Sequence, residues 1–219
     1  DTRPNLRREM ESRKANLKEA DDVLPLIRDR VGRVFPKSNH FAGIHVFTPS
    51  VDVPDDFGIG PRLVLLPPTA GYRRQDDGAA VLAATEILEK RGDAPRLKRN
   101  RLIFLAPDAD AVQRLRDSAK TYLAWRSIVD DVQQRRMDLG TYQADQAKRA
   151  MDSAEDSLKQ MVRETYRWLM VPTEELQRGK MVLRWETVSV AGSAPSLVDE
   201  IESKLKEEEW VVYAWSPVH

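Results

Sequence analysis

Along segment 1–36 the chain steps by threes and fours through residues that are apolar except Arg13. This spacing is the stripe that an amphipathic helix buries. Pro25 interrupts the stripe, but Asp21 and Asp22 stand just before it and can cap a new helix. Proline is tolerated in the first turn of a helix, where its missing N–H has no partner to lose. The pattern therefore predicts two consecutive helices.

Three short apolar runs follow, bounded by proline, glycine and aspartate, at residues 43–49, 62–67 and 102–106. Apolar runs of this length without polar alternation favour strands that are buried on both faces. An amphipathic helix lies between the last two runs, with Asp76 or Asp77 as its cap and Gly92 as its stop. This strand, helix and strand predict a βαβ unit with parallel strands and a right-handed crossover.

Segment 109–171 has helical periodicity, with a break at 138–140. Two long helices joined by a short turn are expected to pair as an antiparallel hairpin. The aromatic residues of this segment stand on or beside the helical stripes, and that spacing favours packing in a core over a base-stacking platform: Tyr122, Trp125, Tyr166 and Trp168.

Segment 172–219 predicts a strand at 184–190, a capped helix from Ser196 toward Trp210, and a last edge strand in VVYAW (211–215). The predicted fold class is α/β: a small, mainly parallel sheet with flanking helices and a long antiparallel helical hairpin. The predicted organisation is N-terminal helices, a sheet region, the hairpin, and a C-terminal strand and helix that complete the α/β domain, at 1–36, 37–108, 109–171 and 172–219.

Charge and composition narrow the classes of function. Lys plus Arg and Asp plus Glu both total 35, so the whole molecule has no net field that would attract a polyanion. There is no cysteine, which excludes disulfides and thiolate chemistry and agrees with a cytoplasmic location. The longest apolar runs are far shorter than the roughly 20 residues of a membrane span, so no membrane association is expected.

The sequence lacks the common phosphate-loop and zinc-site patterns. Neither GxxxxGK[ST] nor GxGxxG occurs in the sequence. His40 and His45 are not spaced as ligands on one helix face, and no cysteine is present to complete a zinc set. The acidic run at Asp52, Asp55 and Asp56 could contribute oxygen ligands to a cation, but acid-rich turns with proline and glycine are common. The sequence therefore assigns no metal site and no catalytic residue.

The stretch KRGDAPRLKRNR (90–101) contains six basic residues and one acid, and it precedes an apolar run. Side chains of this kind contact phosphates as forks and point charges, while a soluble crossover loop or a contact with a partner would use them equally well. The candidate polyanion contacts are Lys90, Arg91, Arg96, Lys98, Arg99 and Arg101. Because they precede a predicted strand, they are expected at its amino end, away from Asp108.

A second candidate is a cleft at the carboxyl ends of the parallel strands, where open α/β sheets generally bind ligands. The loops TPSVDVPDD, PPTAGYRR and PDAD follow the three predicted strands. The candidate residues of this strand-end cleft are Asp52, Asp55, Arg73 and Asp108.

Four segments occur in this order along the chain: RLVLLPP, RNRLIFLAPD, TYLAWRSIVDD and ETYRWLMVP. They carry a resemblance to a domain-of-unknown-function family of large prokaryotic AAA-like ATPases. The segments TRPNL, HVF and DVPDD fit the same family. The family includes an ATPase component of phage-exclusion and phage-growth-limitation defence systems. Its P-loop precedes the matched region, so the resemblance implies that this chain, which begins at Asp1, is an internal fragment of such a protein. ATP and Mg²⁺ are then expected for the parent protein, with no cofactor in this fragment.

Three hypotheses about function follow. The first is a non-catalytic accessory or coupling region of the parent ATPase, with the remainder of that ATPase or another protein as partner and the helical hairpin as a lever or docking surface. The second is a nucleic-acid-binding module that uses the basic stretch 90–101. The third is a small-molecule enzyme with its site in the strand-end cleft.

Overall fold

The computed structural model describes residues 5–56, 60–208 and 210. Its helices are α1 (Leu6–Ala15), α2 (Leu24–Val34), α3 (Gly78–Glu89), α4 (Val112–Gln133), α5 (Thr141–Thr165) and α6 (Leu197–Glu207). Its strands are β1 (Gly43–Val46), β2 (Arg62–Leu65), β3 (Lys90–Arg91), β4 (Ala94–Pro95), β5 (Leu102–Pro107), β6 (Tyr166–Gln177) and β7 (Lys180–Ser189). The predicted edge strand at 211–215 lies outside the described residues.

The main sheet has five strands in the order β1-β2-β5-β6-β7. Strands β1, β2 and β5 are parallel, and α3 connects β2 to β5, so the predicted βαβ unit is confirmed. Strand β6 pairs with β5 in the antiparallel direction, and β7 pairs with β6 in the same way. The α/β fold class is thus correct, with a sheet that is parallel on one side and antiparallel on the other.

Strand β6 corrects the sequence prediction, which placed residues up to 171 in the helical hairpin. Helix α5 ends at Thr165, and the strand begins at the next residue, Tyr166. The helical stripe continued by chance through Trp168, while the side chains of Tyr166 and Leu169 became buried by pairing with the free edge of β5. Tertiary pairing therefore overrode the local periodicity.

The residues that cap the predicted helices have more varied roles than the sequence suggested. Asp21 and Asp22 lie in a π-helical turn, Glu19–Val23, that leads directly into α2. Pro25 is in the first turn of α2, as predicted. Ser196 accepts a hydrogen bond from the backbone N–H of Asp199 and is a true N-cap of α6.

Two compact units emerge from the packing. One contains the residues up to Arg30 together with Gln113–Val162, and the other contains Val31–Val112 and the residues from Arg163 onward. In the first unit α1, α4 and α5 share an apolar core, while Arg13 on α1 pairs with Asp131 on α4 at 2.7 Å. The hydrogen bonds from Arg13 and Arg136 hold the pKa of Asp131 below its ordinary value.

The second unit is built on the main sheet. One face carries Val64, Leu66, Phe104 and Met170, which pack with the buried side of α3. The apolar residues of β2 and β5 that point to the other face are fully buried as well: Leu63, Leu65, Ile103 and Leu105. Both faces are covered, which is why these strands have uninterrupted apolar sequences.

Candidate functional site

Arg96 stands in the middle of the basic stretch, yet only 2% of it is exposed. Its guanidinium donates to five backbone carbonyl oxygens: Ile87 O (2.7 Å), Val53 O (3.0 Å), Pro54 O (3.0 Å), Ser50 O (3.1 Å) and Lys90 O (3.4 Å). All five N–H donors of an arginine are used in this way. We call this arrangement the Arg96 clasp. The prediction that Arg96 contacts a polyanion is wrong, because no donor is left for a phosphate.

Asp55 belongs to the same arrangement. Its carboxylate accepts from the backbone N–H groups of Leu97 (2.7 Å) and Lys98 (2.6 Å), beside the amino end of β5. The loop that follows β1 is therefore bonded to the basic stretch in two ways. Arg96 of the stretch donates to carbonyl oxygens of the loop, and Asp55 of the loop accepts from N–H groups of the stretch. Burial lowers the pKa of Arg96, and Asp55 opposes that change.

The other basic residues of the stretch take no part in the Arg96 clasp through their side chains. Arg91 donates from Nε to the Val51 carbonyl at 3.2 Å, and Gly92, with a positive φ of 62°, makes the turn between β3 and β4. Lys90 and Arg99 are exposed, whereas Lys98 and Arg101 are half-buried. Polyanion contact by these five residues, Arg91 included, stays a prediction. As expected, the whole stretch precedes β5 and lies at its amino end.

The four residues of the strand-end cleft do not form one cleft. Asp55 is bonded beside the amino end of β5, whereas Asp108 follows its carboxyl end, and six strand residues separate the two ends by about 20 Å. Arg73 does lie near the carboxyl end, where it pairs with Asp110 at 2.9 Å. Asp52 is exposed in the 3₁₀ turn Ser50–Asp52. The loop after β1 folds back toward the basic stretch, which separates the candidates.

A second polar cluster lies at the start of β1 and β2. His45 Nε2 is 3.2 Å from the Arg62 guanidinium, which also pairs with Asp56 at 3.1 Å. Burial lowers the pKa of His45 below its ordinary value of 6.5, and the charges of Arg62 and Arg96 lower it further. A neutral His45 can therefore accept a hydrogen bond from Arg62 at neutral pH.

A group of side chains that the sequence analysis did not predict lies at the carboxyl end of β5. Arg167 is the extra residue of a β-bulge, because Tyr166 pairs with Pro107 and Trp168 pairs with Ala106. The guanidinium carbon of Arg167 is 5.5 Å from the centre of the Trp168 ring. We call this group the Trp168 cluster, and its members are Tyr72, Arg74, Arg167 and Trp168.

The loop after β2 supplies the other half of the Trp168 cluster. The rings of Tyr72 and Trp168 are in contact with their centres 4.9 Å apart and their planes tilted by 46°, and the Arg74 guanidinium carbon is 5.3 Å from the centre of the Trp168 ring. A parallel bridge between Tyr72 and Asp108 holds this loop to the end of β5. Gly71 permits the approach, since a Cβ there would lie 2.8 Å from the Cα of Ala109.

The arginines of the Trp168 cluster form no ion pair with any acid that the structure describes. Arg167 donates to the Ser189 hydroxyl, and neither Arg74 nor Arg167 has a carboxylate partner among the described residues. The Trp168 Nε1 is buried and lacks an acceptor in that part of the chain. The sequence missed this cluster because Trp168 was assigned to a helical stripe.

A groove of about 780 Å³ lies in the first unit between α4 and α5. It is open to solvent, and about half of the side chains that line it from the two helices are small, while the larger ones include Arg114, Trp125 and Met161. Residues 113–125 of α4 line this groove together with residues 150–161 of α5, while Val129 and Ala147 share a core nearer to the turn that joins the two helices. The two helices therefore run antiparallel, as the sequence predicted.

Comparisons with known proteins identify no relative: no family model, no curated protein and no solved structure matches this chain. Among the described residues no group of three or more histidine, cysteine or acidic side chains is placed to hold a metal ion. None of the described helices combines the length and the apolar composition that crossing a bilayer requires.

Proposed function

We propose that this chain is a non-catalytic coupling region of a larger AAA-like ATPase, of the kind that serves in phage exclusion. The observation that carries the proposal is the way the helical hairpin is connected. Helices α4 and α5 are inserted between two paired strands, β5 and β6, through residues 108–111 on one side and with no intervening residue on the other. A long helix that continues directly into a strand is suited to pass a displacement along the chain.

The hairpin also offers a surface to a partner. The groove between α4 and α5 is lined by side chains of both helices, and its charged lining residues are Arg114 and Asp117 of α4 and Arg7 of α1. A partner segment seated there would contact both helices at once and would bias their position. ATP and Mg²⁺ would bind elsewhere in the parent protein, as the resemblance implies.

An insertion at the junction of α5 and β6 tests this proposal in the intact parent protein. We expect amide hydrogen exchange in residues 113–162 to differ between the ATP and ADP states. Inserting Gly-Ser-Gly between Thr165 and Tyr166 should remove this difference, because a flexible linker no longer transmits the displacement. The same insertion between Gly179 and Lys180, in the exposed turn of the β6–β7 hairpin, is the matched control and should leave it unchanged. Identical exchange of the hairpin in both nucleotide states of the unaltered protein would rule the coupling role out.

The Trp168 cluster favours a second candidate function, contact with single-stranded nucleic acid. Two guanidinium groups that pair with no carboxylate in the described part of the chain lie beside one indole ring, and proteins that bind single strands combine arginine and aromatic side chains in this way. This candidate moves the nucleic-acid hypothesis from the amino end of β5, where Arg96 is buried, to its carboxyl end.

Fluorescence anisotropy with a labelled single-stranded oligonucleotide distinguishes the two ends. The double substitution Arg74→Gln with Arg167→Gln should weaken binding at low salt and reduce the slope of log K against log salt by about 1.4, since two phosphate contacts are lost. The control pair Lys90→Gln with Arg99→Gln removes the same charge from the basic stretch and should have little effect. If the control pair weakens binding instead, the site is the basic stretch; if the unaltered chain does not bind, this candidate is wrong.

A further inference from the structure

The β6–β7 hairpin extends beyond the rest of the sheet. Pairing between β5 and β6 ends at Phe104 and Met170, whereas pairing between β6 and β7 continues to Gln177 and Lys180. We call the extension the arm; it consists of Val171–Gln177 and Lys180–Glu186. A two-stranded ribbon by itself is at best marginally stable in water, so the arm gains from an additional strand or surface.

One face of the arm is mainly apolar from its base to its tip, with Glu174, opposite Leu183, as its charged residue. Trp185 and Leu183 pack against the core of the second unit at the base, and Trp185 donates from Nε1 to the Thr85 hydroxyl at 3.3 Å. Met181 follows on the same face, opposite Leu176, and these two side chains are 59% and 67% exposed. An apolar row that leaves the core and ends in solvent is typical of a contact surface.

The two edges of the arm differ in their capacity to pair. The outer edge of β6 carries Pro172, which lacks an N–H, and two neighbouring acids, Glu174 and Glu175. Proline and repeated charge are features that protect an edge strand from pairing. Strand β7 has no proline, and no strand in the described part of the chain pairs with its outer edge. Among the described strands, the edge that is open to another strand is therefore that of β7.

The sequence of β7 is complementary to itself in the antiparallel direction. Lys180, Arg184 and Glu186 point to one face, because side chains two residues apart share a face of a strand. In an antiparallel pair centred on Trp185, Arg184 lies opposite Glu186 of the second copy. In a pair centred on Leu183, Lys180 lies opposite that glutamate. Opposite charges directly across a strand pair are favourable, and like charges are not.

Both arrangements also join the apolar faces. Centring on Trp185 brings the two tryptophans together, and centring on Leu183 brings the two leucines together and sets Met181 against Trp185 of the second copy. We propose that two copies of this chain associate through the outer edges of their β7 strands, with Glu186 paired to a basic residue of the other copy. The two arms then form one four-stranded sheet in which the apolar rows of the two β7 strands are adjacent.

Sedimentation equilibrium of the purified chain over a wide concentration range tests this proposal. We expect a reversible dimer, and Glu186→Arg should raise its dissociation constant by roughly tenfold or more, because two symmetric attractions become repulsions. Adding Arg184→Glu should restore the dimer if the pair is centred on Trp185, and adding Lys180→Glu should restore it if the pair is centred on Leu183. The control Glu174→Arg changes the same charge on the other strand of the arm and should leave the dissociation constant unaltered.

Hydrogen exchange supplies a second measurement that does not depend on the variants. Amides of β7 should become more protected as protein concentration rises, while those of α3 should not change. Three outcomes would overturn the proposal: a monomer at all concentrations, a dimer unaffected by Glu186→Arg, or a failure of both double variants to restore association. Restoration by either one also shows that the charge reversal acted on pairing and not on folding. Loss of the dimer would leave the coupling role of the helical hairpin untouched, since that role depends on a different part of the chain.

Discussion

Replacing Arg96 by methionine is expected to lower the free energy of unfolding by about 3–5 kcal/mol. Methionine resembles the apolar stem of arginine in length but has no N–H donor. Five backbone carbonyl oxygens would lose their donor at once, in a place where only 2% of the side chain reaches solvent. Arg96→Lys should recover part of this loss only, because an ammonium has three donors and no planar fork.

The matched control is Arg99→Met, three residues along the same basic stretch. Arg99 is exposed, and exposed substitutions away from specific contacts usually change stability by less than about 0.5 kcal/mol. Chemical unfolding followed by circular dichroism measures both variants. Equal, small effects of the two substitutions would show that the Arg96 clasp does not stabilise the fold.

Gly192→Ala is the second substitution with a large expected effect, a loss of about 1–3 kcal/mol. A Cβ at this position would lie 2.6 Å from the backbone oxygen of Arg163, near the end of α5. The two segments are already bonded, since Arg163 donates to the carbonyl oxygens of Gly192 and Ala194. Because the atom that the methyl group meets belongs to the backbone, relief of the overlap requires the chain itself to move.

Gly32→Ala makes the same chemical change with the opposite expected sign. Gly32 lies inside α2, and a Cβ there has no described atom within 4 Å. Alanine is favoured over glycine inside a helix by up to about 1 kcal/mol, so this variant should unfold at a higher temperature than the unaltered chain. Thermal unfolding of both variants is the measurement. A stabilising effect of Gly192→Ala would contradict the close approach of this loop to α5.

The candidate sites illustrate why charge in a sequence is a weak guide to function. Arg96, Lys98 and Arg99 are equivalent in the sequence, because each is a basic residue in a polar loop before an apolar strand. Only the fold distinguishes them, by bringing the carbonyl groups of residues 50–54 and 87–90 around Arg96. The Trp168 cluster is the converse case, since Arg74 and Arg167 are far apart in the chain and meet only because β6 pairs with β5.

Local periodicity determined most of the elements. The buried strands β2 and β5, the helix between them and the two long helices of the hairpin all follow from the spacing of apolar residues, because that spacing records which face is removed from water. The connection of β2 to β5 through α3 then fixed their parallel direction.

Strand β6, its bulge, the Arg96 clasp and the length of the arm were decided by the tertiary structure. Residues 161, 165 and 168 continue a helical stripe, and nothing local reveals that the free edge of β5 will recruit Tyr166–Met170 as a strand. Hydrogen bonding to a strand edge and the capture of backbone carbonyls by a buried guanidinium both depend on groups distant in sequence. These interactions form only after folding has brought the segments together, so the local spacing of residues cannot predict them.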